Sequence, residues 1–242
     1  MNTNEVVLHI ANHEIHVFRK DIKNMHLSVN PPLGSLKLVA PLKTDDDVIR
    51  LFAISKLGWI KKQVKSFKEQ LRESPREYES GESHYFQGRR YLLEVKEQSA
   101  SNAIQIVGTK KLVLKVKNGV SREEKAKLLK EWYRKQLKKE LPSLIEKWQE
   151  IIGVQANDWG VKQMKTKWGS CNIEEKRIWL NLELAKKPPI CLEYILVHEL
   201  VHLHERNHNN RFVALLDKFM PKWRIHRDLL NSLPVVHNDW GY

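Results

Sequence analysis

The stretch HELVHLHERNH, residues 198–208, limits what this chain can fold into more than any other. Leu192, Ile195, Leu196, Leu200 and Leu203 recur at helical spacing around it, so the segment reads as a partly buried helix. A buried helix cannot leave imidazoles and carboxylates side by side without partners, because unpaired polar groups inside a protein are costly. His198 and His202 are four residues apart and differ by about 40° around a helix, which turns both imidazoles to one side. One divalent ion can take both nitrogens. Glu199 points about 100° further round, where it reaches a water in the ion's open position without being a ligand. This is the H-E-x-x-H arrangement, with a glutamate as general base beside a zinc ion.

A catalytic zinc with one open position needs a third protein ligand. His208 lies beyond Arg206-Asn207, where asparagine tolerates the left-handed backbone angles of a turn. If the chain folds back there, His208 reaches the ion. Glu205 competes, since on a helix that continued it would sit about 20° from His198. Asp217 and Asp228 are further carboxylates that a following helix would offer. His204 projects about 240° from His198 and is read as taking no part in metal chemistry.

Lys and Arg number 42 against 29 Asp and Glu, a net charge of +13. That excess either solvates helix faces such as IKKQVKSFK (60–68) and LLKEWYRKQLKKE (128–140) or attracts polyanions, nucleic acid among them. No nucleic-acid module signature accompanies the charge. No apolar run is long enough to span a membrane, and the first residues lack the basic start and apolar run of a secretory signal. Two cysteines, Cys171 and Cys191, are too few for a secreted disulfide framework. A cytoplasmic protein is expected.

Along the chain, VVLHI, EIHVFR, MHLSV and LKLVAP read as short strands, followed by one helix from near Thr44 to about Leu71. HYFQGRRYLLEVKE reads as a hairpin turning at Gln87-Gly88, and AIQIV with KLVLKVK as a second pair around Gly108. Composition changes at Asn118-Gly119, which suggests a β-rich domain over 1–118 and a second domain over 119–242. Ser121 and Glu124 form a capping box that starts a long helix to about Ile152, interrupted at Pro142. GVKQMKTKWGSC and RIWLNLEL read as extended segments, and Pro188-Pro189 opens the helix of the histidine stretch. No internal repeat is visible. The fold class is α+β.

The strings KTKWGSCN (165–172), IWLNLELAKKP (178–188) and HELVHLHERNHNNRF (198–212) resemble the YgjP-like metallopeptidase family, and ESHYFQGRRYLLEV resembles its amino-terminal half. The resemblance implies a zincin-like catalytic half: a long backing helix, a small sheet and an active-site helix, placed here over 121–152, 159–182 and 190–206. It implies one Zn2+ per chain held by His198, His202 and His208, with Glu199 as catalytic base. The spacing to His208 is that of metzincins, but their glycine is Glu205 here and no methionine turn follows, which argues against a true metzincin.

Around this centre, Trp168 is read as core packing beside the metal helix, and Gly169 as permitting a close backbone approach. Cys171 is a candidate thiolate ligand or a buried structural residue. Lys165 and Lys167 are taken to alternate on a strand, one of them facing the cleft. Asn181 is placed at the sheet's cleft edge, where backbone groups pair with an extended peptide. A second electrophile is expected, with Arg211, His226 and His237 as candidates. Glu205, Lys165, Lys167, Trp168 and Arg211 complete the set of supporting or substrate-binding residues.

The expected reaction is zinc-dependent hydrolysis, in which Glu199 takes a proton from zinc-bound water and returns it to the leaving group. Peptide bonds are the natural substrate of a zincin-like site. The resemblance also carries a UTP pyrophosphatase assignment, which suits the +13 charge, with Lys165, Lys167 and Arg211 as phosphate partners, although no glycine-rich phosphate loop appears. A nucleic-acid-associated module using the basic surface is the third reading.

Overall fold

The computed structural model describes residues 5–30, 34–69, 76–98 and 101–234. They fall into two compact units, one within residues 1–73 and the other over Ser74–Leu233.

The first unit is a four-stranded sheet with helices on one face. β1 (Glu5–Ile10) and β2 (His13–Lys20) form a hairpin, β2 runs parallel to β4 (Ser35–Pro41), and β3 (His26–Asn30) pairs antiparallel with β4. The order is β1-β2-β4-β3. Alternation sends Ile15, Val17, Leu36, Leu38 and Ala40 inward, where they bury against Ile49, Ala53 and Ile60 of the helices. The expected single helix is two, α1 (Asp46–Ser55) and α2 (Leu57–Glu69), broken at Lys56. Ser55 Oγ donates to the Phe52 carbonyl at 2.7 Å, a back-bond that competes with the helix ladder at the break. The expected end near Leu71 lies outside the described residues.

The second unit opens with the same arrangement. β5 (Ser83–Phe86), β6 (Arg89–Glu97), β7 (Ala103–Val107) and β8 (Lys111–Val116) are ordered β5-β6-β8-β7, again with two antiparallel pairs and a parallel centre. Inward positions of the two sheets fall at one constant spacing along the chain: Ile10 and Phe86, Ile15 and Tyr91, Val17 and Leu93, Leu36 and Leu112, Leu38 and Leu114, Ala40 and Val116. The helices that follow, beginning at Asp46 and Arg122, keep that spacing. The chain thus builds one ββββα plan twice, a repeat that the sequence does not display. Both hairpins turn through residues with positive φ, Ala11 in one and Gln87-Gly88 in the other.

In the second copy the helix is α3, Arg122–Ile152, with both bonds of the Ser121–Glu124 capping box present and Gly153 closing it in the left-handed region. The expected interruption at Pro142 does not occur. Proline removes one ladder bond, but Leu137 and Leu141 before it and Ile145 and Trp148 after it are buried, so packing holds the helix through.

β9 (Asp158–Lys162), β10 (Gly169–Asn172) and β11 (Arg177–Asn181) make a small sheet ordered β10-β11-β9. Residues 163–168, which carry Lys165 and Lys167, form a loop where a strand was expected. Likewise Leu182–Lys186 is a 3-10 turn where RIWLNLEL was read as extended, because the Asn181 side chain caps it by accepting from Glu183 N. Three helices follow: α4 (Pro189–Val201), α5 (Asn210–Phe219) and α6 (Trp223–Ser232). One core joins Leu112, Leu114 and Val116 of β8 to Leu129, Tyr133 and Leu137 of α3 and to Ile195, Leu196 and Leu200 of α4. This shared core puts the compact division at residues 73/74, where the sequence suggested 118/119.

Candidate metal centre

α4 begins with Pro188 and Pro189, and nearly its whole circumference is apolar and buried. Such a helix is rigidly held, which fixes His198 and Glu199 in place. The helix stops at Val201, with His202 as its cap. Leu203 N and His204 N close the end on the Leu200 and Val201 carbonyls. Glu205 therefore does not share the His198 face. Its carboxylate accepts from Asn207 N at 3.2 Å and faces Arg211 Nε at 4.0 Å, so it shapes the returning loop. Asn209 then caps α5 by accepting from Phe212 N at 3.0 Å.

That turn brings His208 back over the helix. Its Nε2 lies 3.0 Å from Nε2 of both His198 and His202. Among the described residues these three form the one group of potential ligands whose atoms converge, all within 4.8 Å. The buried Phe212 ring lies beneath all three imidazoles, at centroid distances of 4.9, 4.6 and 4.7 Å from His198, His202 and His208.

The chemistry of the donors fits a divalent cation. His202 Nδ1 is 3.0 Å from the Glu205 carbonyl, which holds the proton on Nδ1 and leaves Nε2 a bare lone pair. One Nε2 proton on His208 cannot serve two acceptors well, so hydrogen bonding among the three rings leaves a lone pair unserved. His198 Nδ1 is buried with no hydrogen-bond partner, and the atom that converges with the other imidazoles is its Nε2. Burial first, then the neighbouring His202 and His208, push the His198 imidazole down to about 3. Burial also lowers His202. Both stay neutral at pH 7, as ligands must.

Glu199 is 5 % exposed, and burial pushes its carboxyl up to about 8, with Lys167 pulling the other way. It lines an open cavity of about 990 Å3 together with the three histidines, Trp168 and β10. Lys167 lines the same cavity, whereas Lys165 and Arg211 are exposed and do not. Asn181 lies in the central strand β11, not at the cleft edge; the edge is β10. The buried Asn181 amide instead fastens the 163–168 loop, donating to Met164 O at 3.0 Å and Lys167 O at 2.7 Å. Asn181 N also donates to Trp168 O at 2.8 Å. Cys171 stays outside the ligand cluster, and burial and then the Glu199 charge push its thiol up to about 11.

Asp217 bonds Trp223 Nε1 at 2.8 Å and Asp228 bonds Arg227 Nε at 2.9 Å, so neither joins the centre. His204 Nε2 sits 3.0 Å from the Ile152 carbonyl and ties the ends of α3 and α4. His226 does not line the cavity, and His237 lies outside the described residues. Sequence reasoning missed Tyr194, Arg206, Arg227 and Asn231, which all line the cavity. Tyr194 precedes His198 by one helical turn, so spacing was a usable signal. Arg227 and Asn231 come from α6, which no local pattern links to the motif.

The profile described as "YgjP-like, metallopeptidase domain" matches residues 23–233. No curated protein matches the chain. Among solved structures, the metallopeptidase zymogen abylysin of Pyrococcus abyssi is similar, at 22 % identity and a TM-score of 0.35, over 37 % of this chain and 90 % of that one. No helix among the described residues is long and apolar enough to cross a membrane.

Proposed function

The chain belongs to the YgjP-like metallopeptidase family, and on that premise we propose that it is a zinc-dependent peptidase in which His198, His202 and His208 hold the metal and Glu199 is the general base. The observation that carries this reading is the convergence of three Nε2 atoms at one wall of the cavity that Glu199 also lines.

A zinc ion held there would supply the positive charge that acidifies a water and polarises a scissile carbonyl. Glu199, buried on the same cavity as the three imidazoles, is placed to accept a proton from that water and hand it on to a leaving amine. β10 is an edge strand whose four residues all line the cavity, so an extended peptide can pair with its free backbone groups. The 163–168 loop, fastened by Asn181, holds Trp168 and Lys167 against one end of that strand.

A second reading, nucleotide hydrolysis with UTP as substrate, draws support from three cations on the same cavity, Lys167, Arg206 and Arg227. The nucleic-acid reading gains no support from the comparisons.

Zinc-loaded protein is given an unfolded protein and UTP in parallel, with Glu199→Gln as control. Peptide cleavage that a chelator removes, zinc restores, and Glu199→Gln lowers by about 10²–10⁴-fold is the expected result. Turnover of UTP alone, equally sensitive to Glu199→Gln, would replace the peptidase reading with the nucleotide one. Activity that survives Glu199→Gln would overturn the assignment of the base.

A further inference from the structure

Gly169 opens β10 within the string KWGSC. It is buried and pairs with Leu180 across the β10–β11 ladder. The glycines with positive φ among the described residues are Gly34, Gly81, Gly88, Gly108, Gly119 and Gly153. Gly169 is not one of them, so its backbone would accept any residue. Space is what excludes a side chain. A Cβ at this position would lie 2.5 Å from Glu199 Oε1, 2.7 Å from Glu199 Cγ and 2.9 Å from Glu199 Cδ. Non-bonded carbons settle at about 3.5–4.0 Å, so a methyl here forces the Glu199 side chain to leave its place. α4 cannot retreat to relieve these contacts, because Leu196, Val197 and Leu200 are completely buried on its other sides.

We propose that Gly169 is a positioning residue for Glu199: β10 omits a side chain at this point so that the carboxylate rests against strand backbone inside the cavity. A glutamate has three rotatable bonds, and no hydrogen bond from a neighbouring side chain fixes its carboxylate among those described. The strand supplies a wall, and a backbone wall cannot rotate away as a side chain can. A general base acts only within hydrogen-bond reach of its proton, and a misplacement of about 1 Å can lower the rate about 10²-fold. The same strand edge offers the pairing surface for an extended peptide, so base and substrate take their positions from one element. The inference rests on the reading of Glu199 as base.

The test is Gly169→Ala, made in the wild type and in a Glu199→Ala background. In the zinc-loaded full chain, Gly169→Ala should lower kcat on unfolded protein about 100-fold. KM should stay within about twofold, and zinc binding in chelator competition should be unchanged. The thermal midpoint should fall by about 3–10 °C in the wild type, as expected for overpacking in a chain of this size, and by no more than about 1 °C when Glu199 is already alanine. An unchanged kcat, or an equal fall of the midpoint in both backgrounds, overturns the proposal, since the methyl would then not be striking Glu199. Loss of zinc overturns it too, because α4 itself would have moved. A wild type that cleaves no protein sinks the general-base reading instead, and the paired melting curves still decide whether the carboxylate rests on Gly169.

Discussion

The two ββββα copies share a strand order, a two-residue hairpin loop and the spacing of their inward residues, yet their helices do different work. In the first copy the helix breaks at Lys56, and Ile49, Ala53 and Ile60 complete a small core of their own. In the second, α3 runs unbroken for 31 residues. Its first half covers the sheet. Its later turns touch α4, where Trp148 Nε1 and Lys147 Nζ meet Glu193 at 2.9 and 2.7 Å. A helix longer than its own sheet becomes the backing of the candidate metal centre. The difference teaches that one topology serves as a closed module or as a platform, depending on how far its helix extends.

The strongest challenge to this contrast is a matched pair of core truncations. Leu38→Ala and Leu114→Ala remove fully buried side chains from equivalent positions, so each should destabilise its unit by about 2–5 kcal/mol. Leu114 shares a core with α4 and Leu38 does not. Chelator competition should therefore find zinc affinity reduced in Leu114→Ala and untouched in Leu38→Ala. Equal losses would mean that the copies are not separate in this sense.

A second contrast sits at the inward position held by Leu8 in the first copy and His84 in the second. His84 is 5 % exposed, and burial first, then Arg76, push it down from 6.5 to about 4, with Glu82 opposing. Below pH 6.5 the unfolded chain takes a proton that the folded chain refuses until about pH 4. Stability contributed by neutral His84 is therefore complete above pH 6.5 and lost as pH falls through that window, by about 1–3 kcal/mol. Denaturant melts at pH 7 and pH 4.5 should show this slope flattened in His84→Leu; an unchanged slope would assign it to carboxylates.

The smallest effect separates the helix starts. Ser121 forms a full capping box, whereas Asp45 makes no side-chain cap bond. Ser121→Ala should lower stability by about 1 kcal/mol and Asp45→Ala by only a few tenths. Comparable losses from both would erase the distinction.

Much of the candidate metal centre was legible because its residues are close in sequence. His198, Glu199 and His202 needed only the helical period; His208 returns without the left-handed angle expected at Asn207, on a loop held by the Glu205 side chain and the Asn209 cap. Lys165 and Lys167 were placed on a strand because alternating polarity looks the same in a loop pinned by a distant side chain. That pin, Asn181, belongs to another segment. Pro142 was read as a break because propensity counts one lost bond and not the core on either side of it.

By itself, the sequence determined what rests on local periodicity and residue chemistry: an α+β chain, its hairpins and capping box, and a histidine pair four apart with a glutamate between them. The tertiary structure decided what depends on contacts between remote segments. It showed the ββββα plan built twice, since buried positions constrain only size and polarity and leave identities free. It also put Arg227 of α6 and the bare backbone of Gly169 beside the same cavity, because only packing brings together residues that no period connects.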